Sequence, residues 1–371
     1  FADLTGHNGW QKGKSDGRRI LLEDQIFKPL STPVSQLDLK NAFGRSSYLS
    51  EMKTVCTYMG PKKGSGSQPG IKINCGGLKL KAKFGEVHVQ PLATRIFWAL
   101  GYNVNPADHH PGLTLVYDRK IFEEFNSRVG VPVLVGVGPL SVKVAQQNPQ
   151  YEGTDYMVGA VLKNGEKISA QTLAEKVADE DDEDIASLLT APVQLQYQSI
   201  PGHTSIGFWD YNDLDHPESK ALRTVGVLAA WLGLYDMRRG NNDLVLQEAN
   251  GGRELKFVFP DLGAGLGRSG YRLPFNKPDR VDLFKSTIAS RNRIRHAQTI
   301  EFNAAFRDAT AEDFAEGVRL INQFSEVQLH ELLSISGYTG KVLELFHEKL
   351  LSRRASLNES SGYRTRHPQS R

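Results

Sequence analysis

The segment LYDMRRGNNDLVLQEANGGRELKFVFPDLGAG, residues 234–265, contains Asp236, Asn241 and Asp261, whose side chains are of the kind that bind magnesium. Asp236 and Asn241 are five residues apart, and Asp261 follows two short strand-like runs joined by the turn ANGGRE. Magnesium prefers hard oxygen ligands and usually takes one or two carboxylates from a protein, while phosphate oxygens and water complete its shell. The segment therefore predicts a metal site that serves a phosphate group.

The sequence on both sides of this segment predicts an α+β chain with two lobes. At 371 residues it exceeds one average domain, and alternating apolar residues in TVCTYMG, IKIN and LKLKAKFG predict strands in its first half. Apolar residues at helical spacing predict a helix between Pro91 and Gly101, and another that ends at Gly233. Capping-box patterns that start at Thr310 and Ser325 predict further helices. We expect a β-rich lobe and then a mainly helical lobe.

Four regions are expected along the chain. They are, in order, an N-terminal extension (1–53), a β-rich N-lobe with an insertion (54–199), a mainly helical C-lobe with the metal-ligand segments (200–354), and a disordered basic tail (355–371).

Two features of the N-lobe are candidates for binding phosphates. In LKLKAKFG the side chains of Lys79, Lys81 and Lys83 alternate onto one strand face, and a flexible cation there neutralises phosphate charge. The pattern does not choose uniquely among them, and we prefer Lys83, then Lys81, because Lys83 comes just before the predicted helix. In GPKKGSGSQPG, Gly64 and Gly66 would let backbone N–H groups approach an anion, although a plain hairpin loop has the same composition.

Several stretches resemble a family of largely uncharacterised bacterial proteins with a protein-kinase-like core. These are KFGEVHVQPLATRIFWALGY, FWDYNDLDHPESKALRTVGVLAAWLGLYDMRRGNN, PDLGAGLG and FSEVQLHELLSISGYTGKVLELFHEKLLSRR, and the resemblance covers about residues 54–354. More remotely, the core is similar to HipA-type and phosphoinositide-type kinases. The resemblance implies a two-lobed protein-kinase-like fold that binds Mg-ATP. It also implies that Lys83 binds the α and β phosphates, Asp236 is the catalytic base, and Asn241 and Asp261 coordinate magnesium.

Three residues depart from the family's pattern. Gln90 stands where the family tends to carry the glutamate that pairs with the lysine, and an amide does not form an ion pair. Gln90 is therefore the cofactor-binding residue at which the pairing of the lysine is lost. Glu86, in the preceding turn, is the residue that would pair with the lysine instead. Leu234 replaces a histidine that often stands two residues before the catalytic aspartate. Leu262 makes the metal-binding motif DLG rather than DFG.

Two functions follow from these observations. The first is an atypical kinase that transfers a phosphoryl group from Mg-ATP to an unknown hydroxyl acceptor, which is a protein, a lipid or a small molecule. The second is an exported pseudokinase, a scaffold that binds a partner protein or an anionic ligand without catalysis.

Composition excludes other classes of function. A formal net charge of +3 does not predict a nucleic-acid partner, and the longest apolar run, VGVLAAWLGL, is too short to span a bilayer. No G-x-S-x-G motif of a serine hydrolase occurs. His109 and His110 have no third ligand in reach, so we expect them on the surface rather than at a metal.

The compartment stays open, with export favoured over the cytoplasm. The sequence starts at Phe1 instead of methionine, as it would after removal of a leader by a signal peptidase or by the choice of the expressed segment. Cys56 and Cys75 are the only cysteines. They would form a disulfide in an exported protein and stay buried thiols in the cytosol.

Overall fold

A computed structural model describes residues 25–43, 49, 52–62, 69–126, 132–135, 142–145, 156–200, 202–209, 219–234, 241–249, 252–266 and 310–361. Its helices are α1 (Val89–Ala99), α2 (Lys120–Asn126), α3 (Ala170–Ala178), α4 (Lys220–Leu232), α5 (Ala311–Ile321), α6 (Glu326–Ile335) and α7 (Gly340–Ser361). Its strands are β1 (Cys56–Pro61), β2 (Gly70–Cys75), β3 (Leu78–Lys83), β4 (Ala107–His110), β5 (Thr114–Val116), β6 (Pro132–Val135), β7 (Val142–Ala145), β8 (Met157–Leu162), β9 (Lys167–Ser169), β10 (Ile185–Thr190), β11 (Val193–Tyr197), β12 (His203–Gly207), β13 (Asp243–Ala249) and β14 (Gly252–Val258).

The α+β class predicted from the sequence is confirmed, and the chain divides into two units. The β-rich unit comprises the described residues of Leu49–Val87 and Asp108–Ser199. The helical unit comprises those of Phe1–Tyr48, His88–Ala107 and Ile200–Arg371. Helix α1 thus belongs to the helical unit, although strands of the β-rich unit come before and after it in the sequence.

The β-rich unit is built on one large sheet. Among the described residues its nine strands follow the order β4-β11-β3-β2-β1-β5-β10-β8-β9. Alternate residues of a strand point to opposite faces, so one face forms the apolar core. The core side chains of its central strands include Cys56, Ile71, Ile73, Leu80, Ala82 and Leu195. By the strand register, the opposite face of β2, β3 and β11 carries polar side chains, namely Lys72, Asn74, Lys79, Lys81, Lys83, Gln194 and Gln196.

A disulfide joins the first two strands of this sheet. Cys56 and Cys75 lie opposite each other in the antiparallel pair β1 and β2, and their sulfur atoms are bonded at 2.02 Å. Both side chains are buried in the core of the β-rich unit. The structure thereby decides between the two states of these cysteines that the sequence left open.

The prediction that His109 and His110 lie on the surface is wrong, because β4 is buried along its whole length. Nδ1 of His109 lies 3.1 Å from the carbonyl oxygen of Val87, and Nε2 of His110 lies 2.9 Å from that of Met52. Nδ1 of His110 accepts a hydrogen bond from the backbone N–H of Gly112. Its proton is therefore on Nε2 and the ring is neutral. Burial lowers the pKa of His110, although the hydrogen bond to the carbonyl oxygen of Met52 acts in the opposite direction.

The core of the helical unit surrounds α1 and α4, which are buried along nearly their whole length. Ser219 caps the start of α4 by accepting from the N–H of Leu222, and Gly233 ends it with a φ of 64°. This left-handed conformation suits glycine, and the predicted stop at Gly233 is confirmed. The capping boxes predicted at Thr310 and Ser325 are present at the starts of α5 and α6.

The two ends of the described chain add to this unit. Ile26, Val34 and Leu39 are buried in its core. Helix α7 reaches Ser361 and so includes the first seven residues of the tail 355–371 that the sequence predicted to be disordered. Among the helices that the structure describes, none combines the length and the apolar character needed to cross a membrane.

We expect replacement of Cys56 and Cys75 by alanine to lower the free energy of unfolding by about 3 kcal/mol, because the cross-link restricts the unfolded chain. Urea unfolding followed by circular dichroism measures this change. A reductant should destabilise the wild-type protein by a similar amount and leave the double variant unchanged. Equal stability of the wild-type protein with and without reductant would contradict the bridge.

We expect the protein to lose stability as the pH is lowered from 7.5 towards 5.5. Because the folded state lowers the pKa of His110, the unfolded chain takes up this proton first, below the ordinary histidine pKa of about 6.5. The loss levels off once the pH is below the pKa of the folded state. Urea unfolding at several pH values should show a smaller slope for His110→Gln than for the wild-type protein. Identical slopes would show that His110 does not contribute.

Candidate functional site

The hairpin of β13 and β14 brings two of the predicted metal ligands to one end. Asp243 pairs with Val258 in the antiparallel register. Asn241 comes two residues before this pair, and Asp261 comes three residues after it. Both side chains are therefore placed at the same end of the hairpin, and both are half-buried. An amide oxygen and a carboxylate oxygen in this position are the kind of donors that magnesium uses together with phosphate and water.

The side chain of Gln90 holds the backbone on both sides of Asp261. Its Nε2 donates to the carbonyl oxygen of Pro260 at 3.1 Å, and its Oε1 accepts from the backbone N–H of Leu262 at 2.6 Å. Nε2 also lies 3.2 Å from Oγ1 of Thr94. Gln90 is 0% exposed. Both atoms of its carboxamide are therefore engaged in fixing the DLG turn.

Helix α1, which carries Gln90, is itself anchored by a buried arginine. Nε of Arg95 donates to the carbonyl oxygen of Leu39 at 3.1 Å, and Nη1 donates to that of Ala107 at 3.0 Å. The guanidinium also lies over the ring of Phe43. Contacts to the segments before and after α1 thus fix where the helix lies and how it is rotated about its axis, and with it the direction of Gln90.

The chain after Asp261 packs tightly against the end of α4. The N–H of Leu266 donates to the carbonyl oxygen of Leu232 at 3.0 Å. A Cβ atom added to Gly265 would lie 2.6 Å from Cδ2 of Leu234, so a larger residue there would displace the side chain of Leu234. Leu234, which stands where the resemblance implies a histidine, is buried and donates its N–H to the carbonyl oxygen of Ala229. It therefore supports the DLG segment by packing rather than by a polar contact.

Trp209 and Asn242 support the other side of the hairpin and were not predicted as site residues. Nδ2 of Asn242 lies 3.4 Å from the carbonyl oxygen of Trp209, and Nε1 of Trp209 lies 3.3 Å from that of Val258. Both side chains are buried. The only sequence signal was their place next to the predicted elements, which does not reveal a contact between them.

The three lysines of β3 lie on one face, as predicted, and burial separates them. Lys79 is exposed, Lys81 is half-buried and Lys83 is 6% exposed. Lys81 pairs in register with Gln196 of β11, and Lys83 pairs with Gln194. The order of burial favours Lys83 as the lysine with a specific role. Its binding of phosphate stays a prediction.

Three predicted site residues, Asp236, Gly64 and Gly66, lie outside the described residues. The others belong to different units, with Lys81 and Lys83 in the β-rich unit, and Gln90, Asn241 and Asp261 in the helical unit. Glu86, the substitute partner for the lysine, lies in the turn after β3 with a φ of 57°.

No group of three or more His, Cys, Asp or Glu side chains that would suit a metal occurs within the part of the chain that the structure describes. The predicted magnesium site differs from such a cluster, since it combines one described carboxylate, Asp261, with the amide of Asn241. His109 and His110 use ring nitrogens for backbone hydrogen bonds instead.

Two solved kinase structures are similar to this chain. One is the crystal structure of the Helicobacter pylori proinflammatory kinase CtkA, with a TM-score of 0.40 and 11% sequence identity, covering 79% of this chain and 92% of that one. The other is the crystal structure of the Golgi casein kinase with Mn/ADP bound, with a TM-score of 0.35 and 11% identity, covering 96% and 90%. No protein-family model and no curated protein matches the chain.

What the two kinases bind is a property of those proteins. The narrower resemblance to a bacterial family and to HipA-type and phosphoinositide-type kinases stays a prediction. The roles of individual residues are argued from their geometry in this chain.

We expect Gln90→Glu to destabilise the protein by about 2 kcal/mol, although glutamate is the residue that the resemblance implies there. A carboxylate still accepts from the N–H of Leu262, but it does not donate to the carbonyl oxygen of Pro260, and its charge is buried. Thermal and urea unfolding measure the change.

Asn164→Asp is the matched control, because Asn164 accepts from the N–H of Glu166 in an exposed turn. It also exchanges an amide for a carboxylate and should change stability by less than about 0.5 kcal/mol. A Gln90→Glu variant as stable as the wild-type protein would contradict the role of Gln90 in the DLG turn.

Proposed function

We propose that the chain is an atypical kinase that transfers a phosphoryl group from Mg-ATP to a hydroxyl acceptor. In this proposal Lys83 binds the α and β phosphates, Asn241 and Asp261 bind magnesium, and Asp236 accepts the proton of the hydroxyl group. The glycine-rich loop, with Gly64, contributes backbone N–H groups to the phosphates. A protein, a lipid and a small molecule are all compatible acceptors.

The observation that carries this proposal is the fixed position of Asp261. Gln90 bonds the peptide groups on both sides of it, and the hairpin register places Asn241 at the same end. A buried glutamine used in this way restricts the backbone on both sides of the carboxylate that this proposal assigns to the cation.

The main contribution of the chain to catalysis would be to position the reactants. Mg-ATP supplies the phosphoryl group and a metal that neutralises charge on the phosphates. The residues of the chain hold the reactants in line and present charges of the right sign before the reaction, so that little reorganisation is needed. Asp236 contributes by orienting the acceptor hydroxyl and taking its proton as the new bond forms.

The second candidate is a pseudokinase that binds a partner protein or an anionic ligand without phosphotransfer. Gln90 favours it, since a carboxamide with both atoms engaged at the DLG turn does not anchor a lysine as a glutamate would. The bridge of Cys56 and Cys75 also favours it. Disulfides persist in oxidising compartments outside the cytoplasm, and such compartments hold little ATP. Export of the protein from the cytoplasm is part of this second proposal.

Mg-ATP should raise the melting temperature of the wild-type protein, and Asp261→Asn should remove most of this shift. The amide variant keeps the size of the side chain but loses the charge that holds magnesium. At a ligand concentration of 100 times Kd, binding stabilises a protein by about 2.7 kcal/mol, which a thermal shift detects. Glu312→Gln, an exposed carboxylate on α5, is the control and should keep the full shift.

ATP turnover separates the two candidates. A kinase should consume ATP in the presence of its acceptor, or slowly with water, and Asp236→Asn should abolish turnover while the Mg-ATP shift remains. A wild-type shift without turnover against protein, lipid and small-molecule acceptors would favour the pseudokinase. The absence of any shift in the wild-type protein, or a full shift in Asp261→Asn, would overturn the assignment of the magnesium site.

A further inference from the structure

Gln194 is a buried carboxamide whose hydrogen-bonding capacity is not used by the fold. It lies in β11 of the β-rich unit and is 0% exposed. Within the described part of the chain, neither its Nε2 nor its Oε1 has a hydrogen-bond partner. Buried polar groups in proteins are nearly always paired, because an unpaired one loses its bonds to water without replacement. An unpaired buried carboxamide is therefore a candidate for binding a ligand when a charged side chain lies beside it.

The strand register places Gln194 next to Lys83. The two residues lie directly opposite each other in the antiparallel pair of β11 and β3, so their side chains share one face of the sheet. Side chains in such a pair start about 5 Å apart, which brings their polar ends within reach of one another or of a common ligand.

On the other side of Lys83, the directly paired residue has no side chain. Lys83 pairs there with Gly70 of β2, and a Cβ atom on Gly70 would lie 2.8 Å from the carbonyl oxygen of Ala82. The glycine is therefore required by the close approach of the backbone. Of the two residues paired with Lys83 in the sheet, Gln194 is therefore the one with a side chain.

We propose that the carboxamide of Gln194 binds the polyphosphate of the nucleotide together with Lys83. This inference rests on the proposed nucleotide-binding function and adds to it a residue that the lysine needs. When the nucleotide is bound, Oε1 of Gln194 would accept from the ammonium group of Lys83, and Nε2 would donate to a phosphate oxygen that the same ammonium group binds.

The chemistry of the two side chains fits this arrangement. An ammonium group has three donors, so Lys83 can serve an acceptor of the protein and also bind phosphate oxygen. A glutamine orients the lysine without placing a negative charge beside the phosphates, which a glutamate at the same position would do. Gln90 does not fill this role, because both its amide atoms are engaged at the DLG turn.

The test compares the wild-type protein with Gln194→Met, which keeps the length and approximate volume of the side chain but has no hydrogen-bonding amide. We expect the free variant to melt at the same temperature as the wild-type protein or higher, since a buried polar group without partners is removed. We expect its Kd for Mg-ATP, from titrated thermal shifts, to rise by at least about tenfold. The Kd for Mg-tripolyphosphate, which lacks the nucleoside, should rise in parallel.

Ser336→Ala is the matched control. Ser336 is also 0% exposed, and its Oγ has no hydrogen-bond partner among the residues described. It lies at the end of α6 in the helical unit. The variant should likewise keep or raise the melting temperature, but its Kd for Mg-ATP should equal that of the wild-type protein.

Gln194→Glu is a second variant, which keeps the acceptor towards Lys83 and loses the donor to the phosphate. It should also weaken binding of both probes. A wild-type Kd for Mg-ATP in a folded Gln194→Met variant would overturn this inference and leave the nucleotide site standing. A Gln194→Met variant that unfolds or melts much lower, with Gln194→Glu binding Mg-ATP normally, would show that the carboxamide serves the fold. No Mg-ATP shift in the wild-type protein would overturn the proposed function and this inference with it.

Discussion

The two hydrogen bonds between Gln90 and the DLG turn are the interaction on which the helical unit's part of the candidate site depends. They join α1 to the end of β14, and they fix the peptide groups before and after Asp261. Everything else around this turn supports the same geometry. Arg95 anchors α1 to neighbouring segments, Gly265 allows the chain to pass Leu234, and the hairpin sets Asn241 beside the turn. Gln90, which the sequence presents as an unsuitable partner for the lysine, thus fixes the backbone of the DLG turn.

Buried polar side chains separate into those whose polar atoms are bonded within the described residues and those, such as Gln194, whose polar atoms are not. The imidazole of His110 has both nitrogens bonded to backbone groups, and Gln90 has both amide atoms bonded. These groups stabilise the fold because their lost bonds to water are replaced. Gln194 is equally buried, yet its amide is bonded to none of the described residues and stands beside Lys83. That contrast, more than the presence of a lysine on a strand, favours a ligand at this face of the sheet.

The β-rich unit is stabilised differently from the helical unit. Its first hairpin is closed by the bridge of Cys56 and Cys75, which fixes the strands that flank the glycine-rich loop and lead to the lysine strand. The helical unit has no such bridge, since the chain has only two cysteines. It relies on caps and on a large apolar core around α1 and α4. The two described parts of the candidate site are therefore held by covalent closure in one unit and by packing with hydrogen bonds in the other.

The sequence by itself determined the features that depend on local pattern. Periodicity predicted the lysine strand, α1 and the β13–β14 hairpin, and capping residues predicted the starts of α5 and α6, because neighbouring residues decide these structures. The roles of Asn241, Asp261, Asp236, Gly64 and Gly66 stay predictions. Only the tertiary structure decided the partners of Gln90, which lie 170 and 172 residues away, the burial of His109 and His110, and the place of Gln194 opposite Lys83. These depend on which distant segments meet, and no local pattern of side chains contains that information.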